Sequence, residues 1–366
     1  MSLVHQIALT MLPGIGDINA KKLIAACGSP EAVFTEKTRL LMRIPGIGES
    51  TARLVNIDSI MDRVYEEIEF IQKYKIQTFF YTENAYPYRL KQCADGPILI
   101  YFKGQTDLNV PLIISIVGSR KATEYGKDFV KSIAEKLAGK GVLVVSGLAF
   151  GIDSIAHSAS LDNGIATVGV MGHGLDRVYP SQNRSLAKRM LDQGGILSEF
   201  PSQTTPDREN FPKRNRIIAG LADACLVIET GLKGGSLITA DIANSYNRDV
   251  YALPGRIGDP LSEGCNWLIK TNRAGLIESA EDLLESMGWN LNEGIGQRYQ
   301  PLLFPELKPE EKQIFDLLKE HITLPIDEIC MLSQMAPSRI AAALLNLEFE
   351  GLVKCMPGKS YRMVQR

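Results

Sequence analysis

The sequence predicts an α/β protein built on a doubly wound parallel sheet, with a small helical module before it and another after it. Three observations predict this. Leu112-Ile113-Ile114-Ser115-Ile116-Val117 is a nearly continuous apolar run stopped by Gly118-Ser119-Arg120, which reads as a strand buried on both faces. Residues 122–138 then place Phe129, Val130, Ile133 and Leu137 on one helical stripe. The same strand, glycine turn and helix recur along the following residues, so the turns must line one edge of a parallel sheet, where such folds bind ligands.

Bulk properties set limits first. A chain of 366 residues holds two or three domains. Apolar residues make up 45% and charged residues 22%, which excludes disordered and fibrous classes. No apolar run approaches a membrane span, and Met1–Thr10 shows no basic-then-apolar leader, so a cytoplasmic protein without membrane contact is expected. Six scattered cysteines with no Cys-x-x-Cys pair predict neither disulfides nor a zinc site. The net charge is −2, so nucleic acid, if bound, must meet a local basic patch.

Residues 1–70 form the first module. Leu12-Pro13-Gly14-Ile15-Gly16 recurs 32 residues later as Ile44-Pro45-Gly46-Ile47-Gly48. Each copy resembles a helix-hairpin-helix, whose turn amides can hold a DNA phosphate. The segment has 7 Lys/Arg against 9 Asp/Glu, so by charge a purely structural pair is an equal alternative. Residues 71–110 read as a connector extending the sheet domain, with Pro97–Phe102 as a strand.

The sheet domain spans 111–289. Strands are expected at Val142–Val145, Ile165–Val170, Ile196–Glu199, Ala224–Glu229 and Val250–Leu253, with helices at 151–161, 182–191, 210–221 and 234–246. Residues 290–308 read as a linker. Residues 309–366 then show three helical starts, near Pro309, Ile326 and Pro337, and a hairpin around Pro357-Gly358-Lys359. That order spells a winged helix. Its expected recognition helix, Ser338–Phe349, is mostly Ala and Leu, and the module holds 7 Lys/Arg and 8 Asp/Glu. DNA contact and protein contact stand level there.

One segment carries a chemical signal. Lys213, Arg214 and Arg216 crowd a helix start, with Arg208 just before it. The helix dipole opposes cations at that end, so the placement calls for an anion such as phosphate; a solvated basic turn is the plainer alternative. Asp153 and His157 lie four apart on one helix, but read most simply as a dipole-favoured acid and a hydrogen-bonded structural histidine. No Gly-x-Gly-x-x-Gly opens the first helix and no Walker loop exists. No catalytic set, cofactor or metal is expected.

Taken together, Val117-Gly118-Ser119-Arg120, Val145–Asp153 with Ala156-His157, Gly172–Asp176 with Tyr179-Pro180, Phe211–Arg216, Gly235–Ala240 and Ala252–Gly255 resemble the DprA/Smf family of DNA-processing proteins. The resemblance runs through the whole Rossmann-like domain and extends to a variable helix-hairpin-helix (SAM-like) domain and a winged helix. It implies a non-enzymatic, homodimeric mediator that binds single-stranded DNA, protects incoming DNA, helps displace single-strand-binding protein and loads the RecA recombinase in natural transformation. It implies DNA contacts at Gly118, Ser119, Arg120, Gly147, Lys213, Arg214, Asn215, Arg216 and Ser236. Two departures stand out: Gly234 where the family often has Ser, and Asn272-Arg273 where it usually has Gly-Ala. Asn tolerates the left-handed backbone, so a helix stop there survives. The apolar helix around Trp267 is a candidate dimer surface.

The competing expectation is a nucleotide-processing enzyme of a related Rossmann-like superfamily, phosphoribohydrolase-like, using Asp153, His157, Glu199 and Glu229. The Pro-Gly-Gly-x-Gly-Thr loop of those enzymes is missing. A pure interaction scaffold is a third reading. On the first, the two basic turns form one groove for a polymer's phosphates.

Overall fold

Every residue of Leu112–Val117 is buried, which is what an apolar run without alternation demands of a central strand. In the computed structural model, which describes residues 2–55, 58–289, 307–321, 323–356 and 358–364, that segment sits near the middle of a nine-stranded sheet. The strands are β1 (Gln77–Phe80), β2 (Leu99–Gly104), β3 (Leu112–Val117), β4 (Val142–Ser146), β5 (Ala166–Val170), β6 (Gly195–Ser198), β7 (Ala224–Val227), β8 (Asp249–Ala252) and β9 (Gly275–Leu276). Their spatial order is β1-β2-β6-β5-β4-β3-β7-β8-β9.

From β6 to β9 all neighbours are parallel. The chain winds outward through β4, β5 and β6, then crosses back to β7 on the other side of β3. The winding direction reverses between β3 and β7, and a crevice opens beyond their carboxyl ends. Leu112 pairs with Val142 and Val117 with Val227, so the register brings Gly118 beside the turn after β7.

Two apolar layers cover the sheet. The helices Glu124–Leu137 and Ile152–Asp162 pack on one face with Ile114, Ile116 and Val144. The helices Asn210–Leu221 and Gly235–Ser245 pack on the other with Ile113, Val117 and Val145. The expected strands and helices of this domain all form, with ends shifted by a few residues.

Residues 77–104 do more than connect. β2 pairs antiparallel with β6, and β1 antiparallel with β2. Ile100 and Phe102 face the main core, whereas Leu99 and Tyr101 face the core of the amino-terminal helices. β2 is therefore buried on both sides, and that shared core joins module to sheet. In the module, Gly14 and Gly46 have φ of +73° and +89°, the left-handed turn that each hairpin needs. The helices Asp17–Cys27 and Glu49–Arg53 start directly after Gly16 and Gly48.

The carboxyl-terminal module has helices Pro309–Glu320, Ile326–Ser333 and Pro337–Phe349, with β10 (Leu324–Pro325), β11 (Val353–Met356) and β12 (Ser360–Met363) in the order β10-β12-β11. This is a winged helix around Ile314, Ile340 and Leu344. The outer face of Pro337–Phe349 exposes Leu345 and Phe349 rather than a row of cations. The wing meets the sheet domain through Gln92 Nε2 donating to Ser360 Oγ at 3.0 Å and Lys354 Nζ donating to the Gly288 carbonyl at 3.2 Å. The expected linker, 290–308, lies outside the described residues except for Leu307 and Lys308.

Both departures from the family pattern have local accounts. A Cβ at Gly234 would collide with Thr230 Oγ1, so a larger residue there needs Thr230 to turn aside. Asn272 takes the left-handed conformation, φ +54°, as the helix stop expects.

Candidate nucleic-acid interface

The crevice beyond β3 and β7 is a cleft of about 850 Å³. Gly118, Ser119 and Arg120 form one wall, and the turn Thr230–Gly235 with Ser236 and Thr239 forms another. The helix Asn210–Leu221 supplies Phe211, Arg214 and Asn215, with Arg208 just ahead of it. The backbone at Gly118 lies close to the helix Ile152–Asp162: a Cβ there would stand 2.6 Å from Ile152 Cγ1.

Anion-binding logic depends on which helix starts are open. The helix after Gly118-Ser119-Arg120 is not. Thr123 caps it, with Gly126 N donating to Thr123 Oγ1 at 3.3 Å. Glu229 then sits over the same end: Thr123 N donates to Glu229 Oε2 at 2.9 Å and Thr123 Oγ1 donates to Oε1. A buried carboxylate fills that helix terminus, where a phosphate would otherwise go. The next helix start is also occupied, because Asp153 lies in its first turn and accepts from Ala149 N at 3.3 Å. The helix Gly235–Ser245 has no acid in its first turn. Ser236 is buried there against the cleft. Of the three helix starts, the one after β7 is thus the one that no acid of its own first turn or buried carboxylate occupies.

The basic segment 213–216 is divided. Consecutive helical residues point about 100° apart, so three cations in four positions cannot share one face. Arg214 points inward and is 5% exposed. Its Nη1 donates to the Gly147 carbonyl at 2.7 Å and to the Val170 carbonyl, and its Nε donates to Asn215 Oδ1 at 3.3 Å. Burial pulls its pKa down to about 10, while Asp153 beside it works the other way. Burial likewise raises the Asp153 carboxyl, against Arg214.

Arg216 points to the amino-terminal module. Its Nη2 donates to Asp17 Oδ2 at 2.9 Å and to Glu199, and its Nη1 donates to the Asp95 carbonyl. Asp17 Oδ1 also accepts from Ile98 N at 2.9 Å, so the first hairpin's helix start is tied to the sheet domain. Burial raises Glu199 to about 7 despite Arg216. Lys213 is exposed on the Glu199 side.

Of the nine expected contacts, the cleft therefore gathers Gly118, Ser119, Arg120, Arg214, Asn215 and Ser236. Gly147, Lys213 and Arg216 lie outside its lining. Gly147 is hemmed in: a Cβ would stand 2.6 Å from Arg214 Nη2 and 2.7 Å from Asp153 Oδ2. The expectation that the two basic turns form one groove is revised: the helical period turns Arg214 into the cleft floor, where backbone carbonyls hold it, and Arg216 toward the amino-terminal module.

Sequence reasoning left two features of the cleft unassigned. Lys233 lines it, and an aromatic plate stands at its mouth. Tyr179 and Phe211 stack with centroids 6.1 Å apart and planes 30° apart. The Arg120 guanidinium lies 5.7 Å from the Phe211 ring, within cation–π range. A tyrosine 32 residues from a phenylalanine gives no periodic signal; only the fold joins them.

The suspected acid–base pair does not form. His157 is fully buried with Nδ1 2.6 Å from Thr167 Oγ1, and burial lowers its pKa to about 3. It is a structural histidine, as its sequence context implies. Glu229 is engaged by Thr123, as described.

Fold and cleft together define a Rossmann-like protein whose sheet domain lies between a helix-hairpin-helix module and a winged helix. The family model for DNA recombination-mediator protein A matches residues 77–288, that for the DprA winged helix domain matches 301–359, and that for the SAM-like helix-hairpin-helix tandem matches 7–55. The chain belongs to the DprA/Smf family. It is 33% identical over 392 residues to Protein Smf of Synechocystis sp., covering 98% of both chains. The solved DNA processing protein A of Streptococcus pneumoniae superposes with a TM-score of 0.67 at 32% identity, over 78% of this chain and 98% of that one. That of Helicobacter pylori, described for its single-stranded DNA binding mode, superposes with a TM-score of 0.53 at 31% identity, over 58% of this chain and 94% of that one.

Proposed function

We propose that this DNA-processing family member is a single-stranded DNA-binding recombination mediator. It protects incoming DNA and hands it to RecA in natural transformation, displacing single-strand-binding protein as it does so. The observation that carries the reading is the cleft at the sheet's switch point, with Arg120 and the acid-free start of Gly235–Ser245 facing one space. Arg120, Arg208 and Lys233 neutralise phosphates; Gly118, Ser119, Asn215 and Ser236 add backbone and polar contacts. Phe211 and Tyr179 offer stacking surface to unpaired bases, which duplex DNA cannot present. Arg214 and Gly147 shape the cleft floor, Arg216 braces the neighbouring module, and Lys213 adds outer positive charge. The protein acts by binding, without chemistry of its own, as a cytoplasmic homodimer with Trp267 and Ile269 on the candidate dimer surface.

A gel shift with a single-stranded oligonucleotide tests the site. Arg120→Glu abolishes the shift on this account, and unchanged binding would overturn the site. Capture of RecA by the full chain, lost on mixing with excess winged-helix or amino-terminal fragment, tests the handover. The phosphoribohydrolase alternative is not favoured, because Glu229 is committed to Thr123.

A further inference from the structure

We infer that the cleft also binds a free nucleoside phosphate, one molecule at a time, in competition with a DNA strand. This ligand class rests on the anion-binding reading of the cleft proposed above and adds a small-molecule occupant to it.

A volume of about 850 Å³ falls within the roughly 300–1,000 Å³ typical of small-molecule sites. The basic segment that would have prolonged the cleft into a groove does not do so: Arg214 is engaged by the Gly147 and Val170 carbonyls, and Arg216 by Asp17 and Glu199. What remains is a cup at the position where doubly wound sheets take mononucleotides.

The chemistry of the walls matches the parts of a nucleotide. The helix Gly235–Ser245 presents its amino-terminal end to the cup with no acid in its first turn. Ser236 is 7% exposed and lines the cup, and its hydroxyl has no hydrogen-bond partner among the described residues. Glycine at 235 leaves open space in front of the backbone, since a Cβ there would meet nothing within 4 Å. An anion seated at that helix start would receive backbone and hydroxyl donors together.

Charge favours a terminal phosphate. Arg120, Arg208 and Lys233 reach the cup and none forms an ion pair among the described residues. The one carboxylate in the lining, Asp153, is buried beside Arg214. A phosphate monoester carries about −1.5 to −2 charges at pH 7, against about one for an internal diester of a strand. The stacked Tyr179–Phe211 pair at the mouth offers a nucleobase a flat apolar face. An anion cradle, unpaired cations and an aromatic plate in one bounded cup specify a nucleoside phosphate rather than a bare anion or a bare base.

Equilibrium dialysis of the full chain against thymidine 5′-monophosphate, thymidine and inorganic phosphate tests this, with each also used to compete against a labelled oligothymidylate. The expected result is one saturable site for the monophosphate and full displacement of the oligonucleotide. Thymidine and phosphate should each bind about tenfold more weakly, and Ser236→Ala and Arg120→Ala should each weaken the monophosphate by about tenfold. Oligonucleotide binding that millimolar monophosphate neither shares nor displaces would overturn the inference and leave the proposed function intact. Phosphate binding as well as the monophosphate would also overturn it, since no base subsite would exist. Monophosphate binding without oligonucleotide binding would uphold this site and contradict the proposed function instead.

Discussion

Arg214 Nη1 donates to the Gly147 carbonyl oxygen at 2.7 Å, so the central cation of the most basic segment is a strut beneath the cleft. Removing it leaves the Gly147 and Val170 carbonyls without their side-chain donor. An unsatisfied buried acceptor costs about 1–3 kcal/mol. Arg214→Met should lower stability by that order in urea denaturation. Arg120→Ala, at an exposed position, should stay within about 0.5 kcal/mol while weakening oligonucleotide binding. Equal stability of the two variants would contradict the division of roles.

Gly151 anchors the other wall. Its φ of +78° and ψ of −130° belong to glycine, and a Cβ there would collide with the Ser119 carbonyl. Gly151→Ala should therefore cost at least about 1–3 kcal/mol and displace the Ser119–Arg120 turn. Gly164→Ala has a similar φ, +70°, but open space around it, so it should pay only the left-handed backbone cost, about 1–2 kcal/mol. Thermal unfolding of both, with oligonucleotide titration of Gly151→Ala, checks the contrast.

Much of this was legible before the structure. The nearly continuous apolar runs of β3 and β4, each stopped at a glycine, read as central strands. The doubled Pro-Gly-Ile-Gly pattern at 13–16 and 45–48 reads as paired hairpins. The site was less legible because anion capture depends on what is already bound at each helix start. Glu229 lies more than a hundred residues from Thr123, so no local pattern warns that it caps the first helix. Arg216 likewise finds Asp17 in another module. Composition shows where cations are abundant, but the helical period and long-range partners decide which remain free.

That brace gives its own prediction. Arg216 joins Asp17 of the amino-terminal module to Glu199 at the end of β6. Arg216→Ala should speed hydrogen exchange at residues 17–27 and at Ile98, whose amide donates to Asp17. Lys213→Ala, an exposed neighbour, should not. Unchanged exchange in Arg216→Ala would remove the brace.

His157 sets a pH dependence. Burial holds its folded pKa at about 3, below the ordinary 6.5. Between those values the unfolded chain binds the proton and the folded chain does not. The neutral histidine's contribution is therefore complete above about pH 6.5 and is lost as pH falls toward 3, at up to about 1.4 kcal/mol per pH unit. Unfolding midpoints at pH 7, 6 and 5 should fall more steeply for the native chain than for His157→Gln. Parallel slopes would show that His157 takes up its proton in the fold.

Arg120 and its companions are the proposed hold of the cleft on single-stranded DNA. Equilibrium binding of single- and double-stranded oligonucleotides across a salt series tests it most directly. Preference for the single strand is expected, with log affinity falling linearly with log salt. Arg120→Ala should flatten that slope by about 0.7, the share of one phosphate contact. Equal affinity for duplex, or an Arg120→Ala variant with native affinity and native slope, would contradict it.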